Sequence, residues 1–308
     1  MKRVLTAVVL IPLVLLVVFR APLWLFALCV AAIIVLALHE YLNIAETAGL
    51  KPFKWLTYAV AMLPFVWQWI DGWSGRRTPF SLLFPPRLLD VLTATAVVFG
   101  IALVFRKDLR VGLGSVAVSS LGVIYLGGSL ALLVCLRSEL RILVVFVLFS
   151  VWAGDIAAYY VGRSFGKHKL APIVSPNKSW EGAIASVVAS IVVAALVFHY
   201  FRQIDDLFAE KNPLRSYWLF PIPKSVELHR FFSVPWIHVF ALGIVTNIAA
   251  QFGDLFESAL KRGANLKDSG SLLPGHGGIL DRIDALLFAI PVVWYYAQLT
   301  GFLQPKPF

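Results

Sequence analysis

The chain is poor in charge. Asp, Glu, Lys and Arg make up 14% of its 308 residues, where a soluble domain carries about a quarter. Apolar residues make up 59%. That balance excludes a soluble globular domain and points to a polytopic membrane protein, counted in spans rather than in domains. Acidic residues are the scarcer sign: 17 Asp and Glu stand against 27 Lys and Arg, a formal net charge of +10. The excess suits anionic headgroups and phosphorylated small molecules. It does not argue for nucleic acid, because no soluble basic domain exists to carry it. Cysteine is nearly absent. Cys29 and Cys135 both lie in apolar runs and read as packing residues; two such cysteines make neither a disulfide framework nor a metal site.

What is abundant is apolar sequence. Runs long enough to span lie at about 4–19, 23–38, 55–70, 88–105, 111–136, 142–162, 183–201, 236–257 and 283–299. The expected fold is an all-α polytopic membrane protein with about nine transmembrane helices. Residues 1–110 would be amino-terminal scaffold helices facing lipid. Residues 111–308 would be a catalytic transmembrane region with motif loops at 162–182 and 258–284. The first run follows Lys2 and Arg3 and reads as a retained span, since Arg20-Ala21-Pro22 is a poor signal-peptide cleavage site. His39, Glu40 and Tyr41 read as the polar end of the second span at the interface. The Gly- and Pro-rich stretch over 71–87 is a loop, with Arg76 and Arg77 solvated or lipid-facing. Gly112, Gly114, Gly122, Gly127 and Gly128 crowd the fifth run and suit close helix packing, within the chain or at a homodimer contact. The stretch 202–235, with prolines at 213, 221, 223 and 235, reads as an expanded loop without assigned chemistry. Pro291 is expected to kink the last helix.

The few charges are not scattered. Within the eighth run, Asn247, Gln251, Asp254, Ser258 and Lys261 step by four, three, four and three. At about 100° per residue they share one stripe of a helix. A carboxylate deep in a membrane helix costs roughly 2.5–3.5 kcal/mol on insertion scales, so the stripe should face a polar interior. Arg262, Lys267 and Asp268 follow, then Pro274-Gly275-His276-Gly277-Gly278, too Gly-rich for a helix interior. The next apolar run opens with Asp281, Arg282 and Asp284. A salt-bridge network closing a helix bundle would explain a single Asp. The whole array fits magnesium-assisted phosphoryl or nucleotidyl transfer better. Mg²⁺ takes one or two carboxylates plus substrate phosphates, and nearby Lys and Arg neutralise a triphosphate and its departing pyrophosphate.

The run Ser258-x-x-Lys261-Arg262, Lys267-Asp268, Pro274-x-His276-Gly277-Gly278, Asp281-Arg282-x-Asp284 resembles the signature of the phosphatidate cytidylyltransferase (CDP-diacylglycerol synthase) family, without departure from its pattern. The resemblance implies condensation of CTP with phosphatidic acid to CDP-diacylglycerol and pyrophosphate. It also implies that Asp254 and Asp281 are metal ligands.

A second block lies upstream. Asp155 sits in the sixth run with Tyr159 one turn later, beside a stripe of Gly154, Ala158 and Gly162. It either hydrogen-bonds a neighbouring helix or serves a site, and its place just before a basic loop favours the site. That loop contains Lys167, then Ser175-Pro176-Asn177-Lys178-Ser179-Trp180-Glu181-Gly182. Ser179 is an expected helix N-cap, and a helix N-terminus beside Lys178 is an anion site. SPNKSWEG and Asp155-x-x-Ala158-Tyr159 are similar to further blocks of the same family, so the resemblance covers about 152–284. The loops at 163–180 and 259–282 are separated by two spans and must share a side.

From these residues a mechanism is expected. Asp254 and Asp281, with Asp284 as a nearby partner, hold Mg²⁺, and a second cation is left open. Lys261, Arg262 and Lys267 bind the β- and γ-phosphates. Asn177, Lys178, Ser179, Lys167, Asp155 and Arg282 contact substrate. His276 is an acid–base group or a hydrogen-bonding corner. The expected partners are CTP, phosphatidic acid and membrane lipid. The expected location is the cell's inner or plasma membrane with the site facing the cytoplasm. Two rival readings stand beside it: a CTP-dependent polyprenol or lipid kinase, and an ion-coupled transporter using the intramembrane carboxylates.

Overall fold

Long apolar stretches leave the backbone one way to satisfy its polar groups in lipid, and this chain takes it by forming helices. The computed structural model describes residues 2–74, 88–139, 141–200, 235–272 and 277–300. The 71–87 loop beyond Ser74, the 202–235 connection short of Pro235, and Pro274, Gly275 and His276 lie outside these residues. The helices are α1 (Lys2–Arg20), α2 (Leu23–Thr47), α3 (Lys54–Ser74), α4 (Leu88–Val104), α5 (Gly112–Gly122), α6 (Ser129–Glu139), α7 (Arg141–Phe165), α8 (Trp180–His199), α9 (Trp236–Gly263) and α10 (Leu280–Leu299). A π-helical segment, Val123–Gly128, joins α5 to α6, so the Gly-rich run is one continuous span with a wider turn at its middle. An antiparallel hairpin, β1 (Lys169–Ala171) and β2 (Ser175–Ser179), is the only sheet among the described residues.

Five of these helical spans are both long and apolar enough to cross a membrane: 23–47, 112–138, 141–165, 180–199 and 236–263. Shorter apolar helices cover 11–20 and 92–104. The all-α membrane architecture therefore stands, and by length and composition five helical spans among the described residues can cross a membrane. α4 has only 17 residues, and α10 opens on Asp281, Arg282 and Asp284, which dilutes its apolar length.

Four helices make the frame of the site. α8 packs against α7 and α9, and α9 packs against α10. Small residues set the distances. A side chain at Gly182 would meet the Ala158 carbonyl at 2.9 Å, and one at Gly154 would meet Asn247 Nδ2 at 2.5 Å. The glycines of the fifth run are used inside the chain as well. Gly122 lies on Tyr41 and Gly127 on Ala61, with built Cβ contacts of 2.9 and 3.0 Å. α9 ends in a left-handed Asn265 (φ 57°), with Leu266 N–H returning to Lys261 O at 2.8 Å. That reverse turn stops the helix and satisfies a terminal carbonyl.

One expectation about α2 is overturned. The helix does not end at His39 but runs on to Thr47. Glu40 and Tyr41 are buried, 5% and 2% exposed, and Tyr41 donates its hydroxyl to Val118 O at 2.9 Å. Only His39, beside Asn43, keeps the exposed position expected of an interfacial end. Period alone did not reveal that this face of α2 meets protein.

Candidate active site

The stripe on α9 is real and faces two neighbours. Its upper part meets α8: Asn247 Nδ2 donates to Ser186 Oγ (2.9 Å) and Ser190 Oγ (2.8 Å). Gln251 Nε2 donates to Asn247 Oδ1 (2.6 Å) and to Ala183 O (3.1 Å). A buried polar row of this kind is tolerated because each amide finds a partner. Lower on the stripe, Asp254 Oδ2 lies 2.5 Å from Lys178 Nζ, and Ser258 Oγ lies 3.4 Å from Asp254 Oδ1. The ion pair ties the 162–182 loop to α9. Both groups are about one-third exposed, so solvent screens the pair and leaves it able to exchange.

Lys261 closes the stripe. Its ammonium is 2.5 Å from Glu257 Oε2 and 2.5 Å from Asp281 Oδ1. Glu257 is fully buried, which a carboxylate accepts only with a counter-charge at hand. Asp281 is fastened on its other oxygen too. Oδ2 accepts from Ser269 N (3.0 Å), Ser269 Oγ (2.9 Å) and Gly278 N (2.8 Å). The Gly277-Gly278 turn makes this geometry. Gly277 has φ +78°, and a Cβ there would sit 2.5 Å from Asp281 Oδ2, so conformation and space both require glycine.

Asp284 lies one turn along α10, where Gly253 of α9 crosses so closely that a Cβ would meet Asp284 O at 2.5 Å. Asp254, Glu257 and Asp155 all stand within electrostatic reach of Asp284. Asp155 in turn is within reach of Asp254, Lys178 and Arg282. A cavity of about 550 Å³ opens between α7, α8, α9 and the hairpin. Asp155, Asn177, Lys178, Ser179 and Asp254 line it, with Arg163 beside them.

The hairpin is what presents Asn177 and Lys178. Ser179 follows in extended backbone and accepts Gly182 N–H at 3.2 Å, the N-cap expected of it. His168 Nδ1 contacts Glu181 Oε1 at 2.7 Å, fixing the hairpin to the first turn of α8. Of the other expected site residues, Lys167, Arg262 and Lys267 are exposed and do not line the cavity. Arg262 donates to Leu266 O at 3.2 Å. His276 lies outside the described residues.

Five participants were missed. Glu257 breaks the stripe's regular steps, and Glu40 and Ser269 belong to no polar pattern. Tyr125, in the π-helical segment, carries a buried hydroxyl without a hydrogen-bond partner among the described residues, within electrostatic reach of Asp284, Glu257 and Asp254. Arg163 stands in the basic loop, but its 3.0 Å bond to Tyr159 Oη and its place on the cavity wall needed coordinates.

Fold and site together define an integral membrane protein with a cavity between its helices whose charged lining is Asp155, Asp254, Lys178 and Arg163. The chain belongs to the cytidylyltransferase family, whose model matches residues 1–300. It is similar to the phosphatidate cytidylyltransferase of Haemophilus influenzae, 29% identical over 96% of this chain and 97% of the relative. The enzyme of that name from Brucella suis is 32% identical over 82% of this chain and 86% of its own length. The one from Synechocystis is 30% identical over 90% and 89%.

Proposed function

We infer that this chain transfers a cytidylyl group from CTP to phosphatidic acid, forming CDP-diacylglycerol and pyrophosphate for phospholipid biosynthesis. One observation carries the reading. In a member of this family, Lys178 from the first motif loop and Asp254 from the second motif meet at 2.5 Å on the wall of one cavity.

The reaction needs no protein nucleophile. An anionic phosphate oxygen of phosphatidate forms a bond to the α-phosphorus of CTP as the bond to the α–β bridging oxygen breaks in line. The electron pair leaves with pyrophosphate. The protein's work is positioning and charge neutralisation. Lys178, with Asn177 and Ser179 beside it on the cavity wall, would receive a phosphate at the start of α8. Arg282 would neutralise charge near Asp155. Lys261, Arg262 and Lys267 would meet the β- and γ-phosphates, and Lys167 approaching anions at the rim. His276 keeps its expected role as an acid–base group or a hydrogen-bonding corner.

Mg²⁺ is the proposed cofactor. The donors present fit it: Asp254, Asp281 and Asp284 are hard oxygen ligands set among further carboxylates. No group of three His, Cys, Asp or Glu among the described residues forms a ready-made cage. An ion here would be held by one or two carboxylates together with substrate phosphates. Asp254 and Asp281 would hold the ion, with Asp284 as a nearby ligand or supporting partner, and when bound it supplies positive charge to the phosphates. We further propose nine crossings in all, with both motif loops on the cytoplasmic side, where CTP is.

A product assay tests the reading. Purified protein in lipid–detergent micelles receives CTP labelled in the cytosine, phosphatidic acid and Mg²⁺. Label is expected in the lipid phase. CDP release with a polyprenol acceptor and no cytosine transfer would mean a lipid kinase, and no nucleotide turnover with any lipid would return the carboxylates to ion transport.

A further inference from the structure

Two buried charges come from outside the four-helix frame, and they behave differently. Arg137 donates to Val18 O at 2.9 Å and to Ala21 O. It serves carbonyls at the end of α1, and none of these contacts involves the site. Glu40, on α2, reaches across more than two hundred residues of sequence to the turn that holds Asp281. Oε1 accepts Ile279 N–H at 2.9 Å. Oε2 accepts Leu280 N–H at 2.8 Å and Ser269 Oγ–H at 2.9 Å. These are the orphan donors of the α10 N-terminus, and a carboxylate there also meets the positive end of the helix dipole.

The contacts converge. Ser269 Oγ lies 2.9 Å from Glu40 Oε2 and 2.9 Å from Asp281 Oδ2, and it accepts Asp281 N–H at 3.3 Å. The single hydroxyl proton can point to either carboxylate, and Ser269 is the side chain that joins the two. The space around Glu40 is shaped for it. A Cβ at Gly270 would sit 2.7 Å from Glu40 Oε1, and one at Gly278 would overlap both Glu40 Oε2 and Ser269 Oγ. Two turns of chain leave room for this one carboxylate from a distant helix.

We propose that Glu40 is a positioning residue for cytidylyl transfer. Through Ile279, Leu280 and Ser269 it fixes where the Asp281 carboxylate stands relative to Asp254 and Lys261. The proposal rests on the functional reading above.

Full-length Glu40→Gln protein in lipid–detergent micelles tests it. The amide keeps the shape but turns one acceptor into a donor facing donors. kcat is expected to fall about 10–100-fold, the range seen when supporting partners of ligands are removed. KM for CTP and phosphatidate should stay within about threefold. Amide hydrogen exchange should quicken at 277–281 and stay unchanged across α7 and α8. Glu40→Asp, which restores charge with shorter reach, should recover part of kcat. Ser269→Ala, which leaves Glu40 its bonds to Ile279 N–H and Leu280 N–H and removes only the hydroxyl that joins Glu40 to Asp281, should lower kcat less than Glu40→Gln does. Wild-type kcat in Glu40→Gln would overturn the proposal. So would a loss of kcat with faster exchange throughout the molecule, which would make Glu40 a structural cap. If the wild-type protein itself transfers no cytidylyl group, the functional reading falls. The exchange change at 277–281 would still decide whether Glu40 holds that turn.

Discussion

Asp254 and Asp281 differ in how they are held, and their replacements should differ accordingly. Asp254 has one ammonium partner and partial exposure. Asp254→Asn should remove turnover with little change in melting temperature. Asp281 is fixed by Lys261 and three further donors. Asp281→Asn should also remove turnover, and should lower the melting temperature as well, because buried Glu257 then keeps Lys261 while the amide cannot satisfy the same donors. Substantial activity in either variant would refute its role. Gly277→Ala is a third case. The methyl must adopt φ +78° and displace an Asp281 oxygen, a strain on the order of 1–3 kcal/mol, readable as a loss of thermal stability together with kcat. The stripe from Asn247 to Lys261 was legible because helical period survives in sequence. Glu40 was not, because a lone acidic residue at the end of an apolar run looks the same whether it meets water or the N–H groups of a helix far along the chain.

Elements carry the next level of the argument. The hairpin between α7 and α8 was expected only as a loop, since Ser175-Pro176-Asn177 has little strand propensity. It forms because its ends are tied: Trp180 N–H bonds His168 O at 2.9 Å, and Glu181 holds His168. Ser179 then caps α8 at the point where Lys178 leaves for Asp254. Ser179→Ala should cost about 1 kcal/mol, seen as a lower melting temperature in detergent, and should raise KM more than it lowers kcat because it loosens the approach of Lys178. The wider turn at Val123–Gly128 was not legible in the sequence, where Gly127-Gly128 read only as small residues suited to close packing. The helix keeps its hydrogen bonding by inserting a turn, as such segments do at functional sites, and it brings Tyr125 against Phe256 at 5.1 Å and Phe288 at 5.9 Å.

The whole molecule is divided less sharply than its charge distribution suggests. The motifs lie in the second half, and the amino-terminal helices read as scaffold. Through Glu40, however, α2 reaches the turn that holds Asp281, and through Tyr125 the π-helical segment comes within electrostatic reach of Asp284 and Glu257. The two motif loops were expected on one side from span parity, and the Lys178–Asp254 contact shows them at one end of the bundle. Their side of the membrane is open to measurement. Single cysteines at the exposed positions Lys167 and Lys267 should both react with an impermeant maleimide in inverted vesicles and neither in intact cells. Opposite labelling of the two would contradict a shared loop side.

The length of α9 has a consequence for where chemistry happens. Its 28 residues extend roughly 42 Å at 1.5 Å per residue, against roughly 30 Å of hydrocarbon. With Trp236 anchored at one interface, Asp254 lies eighteen residues on, about 27 Å away, at the opposite waterline. A lipid phosphate already floats at that depth. The lipid therefore need not be hoisted out of its leaflet, nor the nucleotide sunk into oil; the two meet at the level each occupies at rest.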